Sequence, residues 1–283
     1  MAIVITVANQ KGGVGKTTTA VNLAAGLTIW LQHEARSPDR VLLIDTDPQT
    51  HALMAIAFGS HLAAPEGSLA ALLIEDPPPS VQRMIRRAEH HHNLHFIPNN
   101  TQAMTDARMR IPSLMARETR LARAIEPILD MYAYVIIDTP PTLDDLMINA
   151  LVAANQVLIP VEPSYLGLSG LKELQAAIGQ VRRHLKRQDL QILGYLPTRC
   201  VSQRSEVQEI LDYLTESFHG KMLSPIHETT DLTYAHSAHM DVFTYRPPRS
   251  RQDGRLASAS RATQEYARLV DEVVKRTLRP VKV

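Results

Sequence analysis

Residues 2–19 read AIVITVANQKGGVGKTTT, and this opening constrains the fold more than any other stretch. The run AIVITVA (2–8) is short, apolar and β-branched, which predicts a strand buried on both faces. A turn with three glycines follows. Beyond it, Val21, Leu23, Ala24, Leu27 and Leu31 recur at helical spacing. A strand that feeds a glycine-rich turn and then a helix is the setting of a phosphate-binding loop. Gly12, Gly13 and Gly15 can take positive φ and turn backbone N–H groups toward one point. The helix start near Lys16 adds its partial positive charge. Lys16 is then expected on the β- and γ-phosphate oxygens of a nucleotide, and the Thr17 hydroxyl on Mg²⁺. Val14 and Thr18 complete the candidate loop. The spacing departs from the usual Gly-x-x-x-x-Gly-Lys-[Ser/Thr], because position 10 is Gln10 and a second lysine, Lys11, stands at the front.

Further strands are expected at RVLLID (40–45), LHFIP (94–98), YVIIDTP (134–140), QVLIPVEP (156–163) and LQILGYLPT (190–198). Helical patterns lie between them, most clearly Leu171, Leu174, Ile178, Val181 and Leu185. Alternation of this kind predicts an α/β fold of the P-loop NTPase type, a mostly parallel twisted sheet with helices on both faces. An apolar content of 45% with only 5% aromatic residues suits such an aliphatic core. Residues 59–93 and 219–255 give mixed signals. A last helix is expected at roughly 255–278, burying Tyr266, Leu269, Val270, Val273 and Val274. No linker divides the chain, so one domain over 1–283 is expected, with a basic helical region at 246–283.

Two strand ends carry carboxylates. Asp45 and Asp47, two residues apart in LLIDTDPQ, are expected to project the same way. Asp138 closes YVIID as a metal-holding aspartate would. Ligands of open parallel sheets collect at the carboxyl ends of the strands, so these groups and the loop should face one crevice. The single cysteine, Cys200, rules out an intrachain disulfide or a four-cysteine metal site and is read as a packing residue. The histidines at 90, 91, 92 and 95 are read as an exposed turn before a strand rather than a metal site. No run of about 18 apolar residues occurs, and no basic leader precedes the first strand. A cytoplasmic protein is therefore expected.

KGGVGKTT, LLIDTDPQ, VIIDTPPTLDDLMINAL and LIPVEPSYLGLSGLKEL, in this order, resemble the ParA/Soj family of deviant Walker A partition ATPases in the ParA/MinD superfamily. The likeness covers most of residues 2–175. It implies an ATPase using ATP and Mg²⁺, slow until stimulated, that forms an ATP-sandwiched homodimer. It also implies roles: Lys11 reaches the partner subunit's phosphates, Asp47 positions the attacking water, and Asp45 supports the metal region with Thr17 and Asp138. Lys11, Lys16 and Asp47 form the catalytic set. The expected partners are nonspecific DNA and a ParB-like centromere-binding or cargo-adaptor protein, giving a nucleoid-associated location in chromosome or plasmid segregation. Positioning of a protein cargo on the nucleoid is the alternative. Membrane patterning in the MinD manner ranks lower, since the chain's end, VDEVVKRTLRPVKV, offers no bulky apolar anchor.

Residues 246–283 hold ten Lys or Arg against four Asp or Glu, a local balance of +6 on a chain of net charge +1. Arg246, Arg249, Arg251, Arg255, Arg276 and Arg279 are the candidate DNA contacts. Many relatives have Ile-Pro-Arg-Asn and further basic positions where this chain has IHETTDLTYAH (226–236), which argues against DNA contacts there.

Overall fold

The computed structural model describes residues 2–57, 65–201, 205–246 and 259–278. Its frame is one seven-stranded sheet. In chain order the strands are β1 (Ile3–Val7), β2 (Val41–Asp45), β3 (Arg86–Arg87), β4 (Leu94–Phe96), β5 (Tyr134–Asp138), β6 (Gln156–Val161) and β7 (Gln191–Pro197). The spatial order is β3-β4-β2-β5-β1-β6-β7. All neighbours pair in parallel except β3, which runs antiparallel to β4 at the edge. The helices are α1 (Lys16–His33), α2 (His51–Met54), α3 (Leu69–Ile74), α4 (Val81–Met84), α5 (Thr101–Arg110), α6 (Arg120–Ile125), α7 (Asp145–Ala153), α8 (Tyr165–His184), α9 (Ser205–Ser217), α10 (Thr230–Ser237) and α11 (Arg261–Thr277).

Apart from the exposed edge pair Arg86–Arg87 of β3, the strands are mostly apolar because both faces of the sheet are covered. Leu42, Ile44, Val135 and Ile137 point into one core, with α3, α5, α6, α7 and α8. Val41, Leu43, Tyr134 and Ile136 point into the other, with α1 and α11. This is the period-two alternation of a strand carried into two separate cores. The expected faces of α8 and α11 are the buried ones: Leu171, Leu174, Ile178 and Val181 in the first, and Tyr266, Leu269, Val270, Val273 and Val274 in the second.

Helix α11 begins at Arg261, later than the sequence pattern suggested. The Ser260 side chain accepts from the Thr263 N–H and so caps the helix there. The ambiguous region 59–93 supplies the short edge strand β3 and the small helices α3 and α4. The histidine turn is also more embedded than expected. His90 and His92 are exposed, but His91 pairs with Asp241 at 2.8 Å. His95 is buried in β4, bonded to the Tyr132 hydroxyl. Among the described residues, no group of three or more His, Cys, Asp or Glu comes together to hold a metal ion, and no helix is long and apolar enough to cross a membrane.

Candidate functional site

The register of three adjacent strands brings their last residues level: Val7 pairs with Asp138, and Asp138 with Asp45. The chain leaves β1 through the glycine loop at this same carboxyl edge. Gly13 and Gly15 sit at φ of 76° and 81°, the left-handed region that glycine enters without strain. Gly15 caps α1 with no side-chain hydrogen bond, and the first turn of α1 holds no acidic residue. The N–H groups of that turn are thus not taken by a local carboxylate, which leaves the positive end of the helix open to an anion.

Neighbouring strands brace the loop. Asn9 accepts from the Lys11 N–H at 2.9 Å and donates to the Pro160 carbonyl on β6 at 2.6 Å. The Thr198 hydroxyl, just beyond β7, donates to the Val14 carbonyl at 2.8 Å. The two lysines diverge. Lys16 is buried and lines the cleft, and its ammonium donates to the Lys11 carbonyl at 3.1 Å. Burial pulls its pKa down, and the charges of Asp138 and Asp47 oppose this. Lys11 is not among the residues that line the cleft, and its ammonium meets Glu162 at 2.5 Å and the Ser164 hydroxyl at 3.4 Å.

The three aspartates occupy distinct environments. Asp47 lines the cleft, and its carboxylate accepts from the Gln49 N–H. Asp45 does not project beside it. β2 ends at Asp45 and the chain turns, so Asp45 is fully buried and its two oxygens accept the N–H groups of Asp47 and Ala52, at 3.0 and 2.9 Å. Burial, with the charges of Asp138 and Asp47, raises its pKa well above the usual carboxylate range. These two bonds fix the turn that presents Asp47. Asp138 is also fully buried, and neither of its oxygens has a donor in hydrogen-bonding geometry. Burial pushes its carboxyl up to about 7, although the nearby Thr17 hydroxyl and Lys16 ammonium pull it down. An orphaned buried carboxylate is costly. Beside a threonine hydroxyl and a phosphate cradle, it fits a hydrated Mg²⁺.

The cleft has a volume of about 500 Å³. One wall is Gly12, Gly13, Gly15, Lys16, Thr17 and Thr18, with Asp47 and His51 beside it. The other wall was not expected from the sequence: Thr198, Arg199, the stretch Ile226–Thr229, and Leu232, Thr233 and His236 of α10. The segment 226–236, which departs from the family pattern, therefore forms a wall of this cleft. His51 and His236 touch edge to face across it, with ring centroids 6.4 Å apart. Thr198 and Arg199 follow the carboxyl end of β7, so the strand-end rule that identified Asp138 would have reached them. The stretch 226–229 has no local signal. A backbone bridge between Cys200 and His227 brings it to the cleft. Cys200 itself is buried, which pushes its thiol up to about 12 and leaves it a packing residue.

Of the candidate DNA contacts, Arg249, Arg251, Arg255 and Arg279 lie outside the described residues. Arg246 donates to the Phe243 and Tyr245 carbonyls. Arg276 donates to the carbonyls of Leu193, Lys221 and Met222, which engages its guanidinium within the fold.

Residues 2–192 match the family described as AAA domain. The chain is 36% identical over 252 residues to the sporulation initiation inhibitor protein Soj of Bacillus subtilis, covering 89% of this chain and 94% of Soj. It is 36% identical over 227 residues to the chromosome partitioning protein ParA of Myxococcus xanthus, covering 79% of this chain and 74% of that protein. Its fold is similar to an ATP complex of a McdA variant from Cyanothece, with a TM-score of 0.76 at 21% identity over 97% of this chain and 96% of that one.

Proposed function

The chain belongs to the ParA/Soj family of P-loop ATPases, and on that premise we propose that it is an ATP-dependent partition ATPase acting as one domain over 1–283. In this reading ATP occupies the 500 Å³ cleft, with its phosphates on the N–H groups of the loop and on Lys16. Thr17 and Asp138 would hold a hydrated Mg²⁺, which would supply charge neutralisation at the phosphates. Asp47 orients the attacking water from the turn that Asp45 fixes.

The observation that carries the reading is the divergence of the two lysines. Lys16 lines its own cleft, whereas Lys11 is held outside that lining on Glu162 and Ser164. A cation held outside its own cleft suits a phosphate presented by a second subunit. Two such subunits facing each other would each lend Lys11 to the other's ATP, so that nucleotide binding and dimerisation become one equilibrium. The dimer would double the basic C-terminal surface, hold DNA through phosphates, and let go after hydrolysis stimulated by a ParB-like protein.

Sizing the protein with ATP, ADP and a slowly hydrolysed analogue, with and without nonspecific duplex, tests this directly. A dimer is expected with ATP and with the analogue, and DNA should co-elute with the dimer alone. A monomer under all conditions would overturn the reading. Asp47→Ala should bind ATP and dimerise yet lose turnover; unchanged turnover would remove Asp47 from its role. Lys16→Ala should lose nucleotide binding, as measured by titration with a fluorescent ATP analogue.

A further inference from the structure

Arg199 has no part in the roles assigned above. Its backbone lies at φ 54°, a left-handed conformation that residues other than glycine rarely adopt and that clusters at functional sites. Its flanks are pinned. The Thr198 N–H donates to the Val161 carbonyl and the Cys200 N–H to the Ile226 carbonyl. From that fixed turn, one end of the guanidinium donates to the carbonyl of Gly13 in the phosphate loop at 3.2 Å. The other end meets the Glu228 carboxylate at 3.1 Å. Glu228 is itself held from behind. Its N–H donates to the Cys200 carbonyl, and the adjoining His227 gives its N–H and a ring nitrogen contact to Glu265 on α11. Arg199 therefore links the phosphate loop, through Gly13, to the 226–229 segment, through Glu228.

We propose that Arg199 is a third cationic ligand of the nucleotide, gripping a phosphate oxygen beside Lys16, and that Glu228 holds it aside until nucleotide enters. The assignment rests on the nucleotide-binding reading above. Its two bonds occupy two of the five N–H donors of the guanidinium, leaving others to meet an anion in the cleft. The competition is one-sided. The side chains of Arg199 and Glu228 are 48% and 54% exposed, and ion pairs in that setting are weak. A forked, charge-assisted bond from arginine to a multiply charged phosphate is among the strong ones. Nucleotide should thus displace Glu228 from Arg199.

Titrating ATP, ADP and AMP into four forms of the full chain tests the assignment: wild type, Arg199→Ala, Glu228→Gln and the double variant. Arg199→Ala should weaken ATP and ADP binding by about tenfold. Glu228→Gln should tighten it a few-fold, by about fivefold at most. That gain should vanish when Arg199 is already alanine. Arg199→Lys should recover only part of the loss, because an ammonium lacks the fork. Glu228 is exposed and the glutamine substitution is isosteric, so that variant tests the idea even if Arg199→Ala fails to fold. No change in Glu228→Gln, or a gain that persists in the double variant, would overturn the latch. Full affinity in Arg199→Ala would overturn the ligand role. A wild-type chain that binds no nucleotide would overturn the proposed function and this assignment together, whereas binding that needs Lys16 but ignores Arg199 would overturn this assignment alone.

Discussion

At the scale of single residues, the chemistry sits in buried charge. Burial pushes the Asp138 carboxyl up from its ordinary 3.8 to about 7 in the folded chain. Between those values the folded state holds a proton that the unfolded state has lost. The nucleotide-free protein should therefore lose stability as pH rises from about 4 toward 7. Asp45 is displaced in the same direction and adds to the slope. Asp138→Asn should flatten the dependence and raise the melting temperature near neutral pH, while abolishing Mg²⁺-dependent turnover. Melting curves of both forms at about pH 5.5 and pH 7.5 check this, and parallel slopes would show that Asp138 is not the group titrating. Glu162 offers a second case. Its pair with Lys11 is about 30% exposed on each side, at 28% and 31%, so it contributes at most about 1 kcal/mol. If Lys11 serves the partner's phosphates, Glu162→Gln should lower the concentration for half-maximal ATP-dependent dimerisation by up to about fivefold. Analytical ultracentrifugation would read the shift, which should be absent when Lys11 is alanine.

Among the secondary elements, the strands were legible because both faces of the sheet are buried and each run is apolar from end to end. Asp47, Asp138 and the glycine loop were legible because each follows such a run directly. The cleft's far wall was not, since Arg199 and Glu228 meet only through the bridge between Cys200 and His227. The start of α11 was misplaced by about six residues, because a cap is a local hydrogen bond and leaves little mark on apolar periodicity. Packing between helices gives a sharper test. A Cβ on Gly26 in α1 would lie 2.6 Å from Val270 of α11 and 2.9 Å from the Phe243 ring. On Gly179 in α8 it would meet only the tip of Arg183, at 3.5 Å. Gly26→Ala should therefore destabilise the fold by about 1–3 kcal/mol through overpacking. Gly179→Ala should stabilise it by up to about 1 kcal/mol through helix propensity. Urea denaturation of the two variants separates the cases, and a gain at both sites would mean that α11 does not press on α1 as described.

For the whole molecule, the proposed switch depends on charge that a single subunit carries only weakly. The net charge is +1, yet residues 246–283 carry a surplus of +6. Not every cation in it is free to meet DNA, since Arg261 pairs with Glu265 and Arg276 donates to backbone carbonyls. The balance of the segment is positive, which favours phosphate contact without base readout. Binding to duplex should then be indifferent to sequence and require ATP, because only the dimer doubles the patch. The logarithm of its affinity should fall linearly with the logarithm of salt, with a slope of about −0.9 per phosphate neutralised. Replacing Arg249, Arg251 and Arg255 together by alanine should make that slope shallower by up to about three such steps and leave ATP-dependent dimerisation unchanged. Fluorescence anisotropy with a labelled random duplex, over a salt series with ATP or ADP, measures both quantities. A slope unaltered by the triple substitution would move the DNA surface elsewhere on the dimer, and binding equal in ATP and ADP would break the link between nucleotide state and DNA on which release depends.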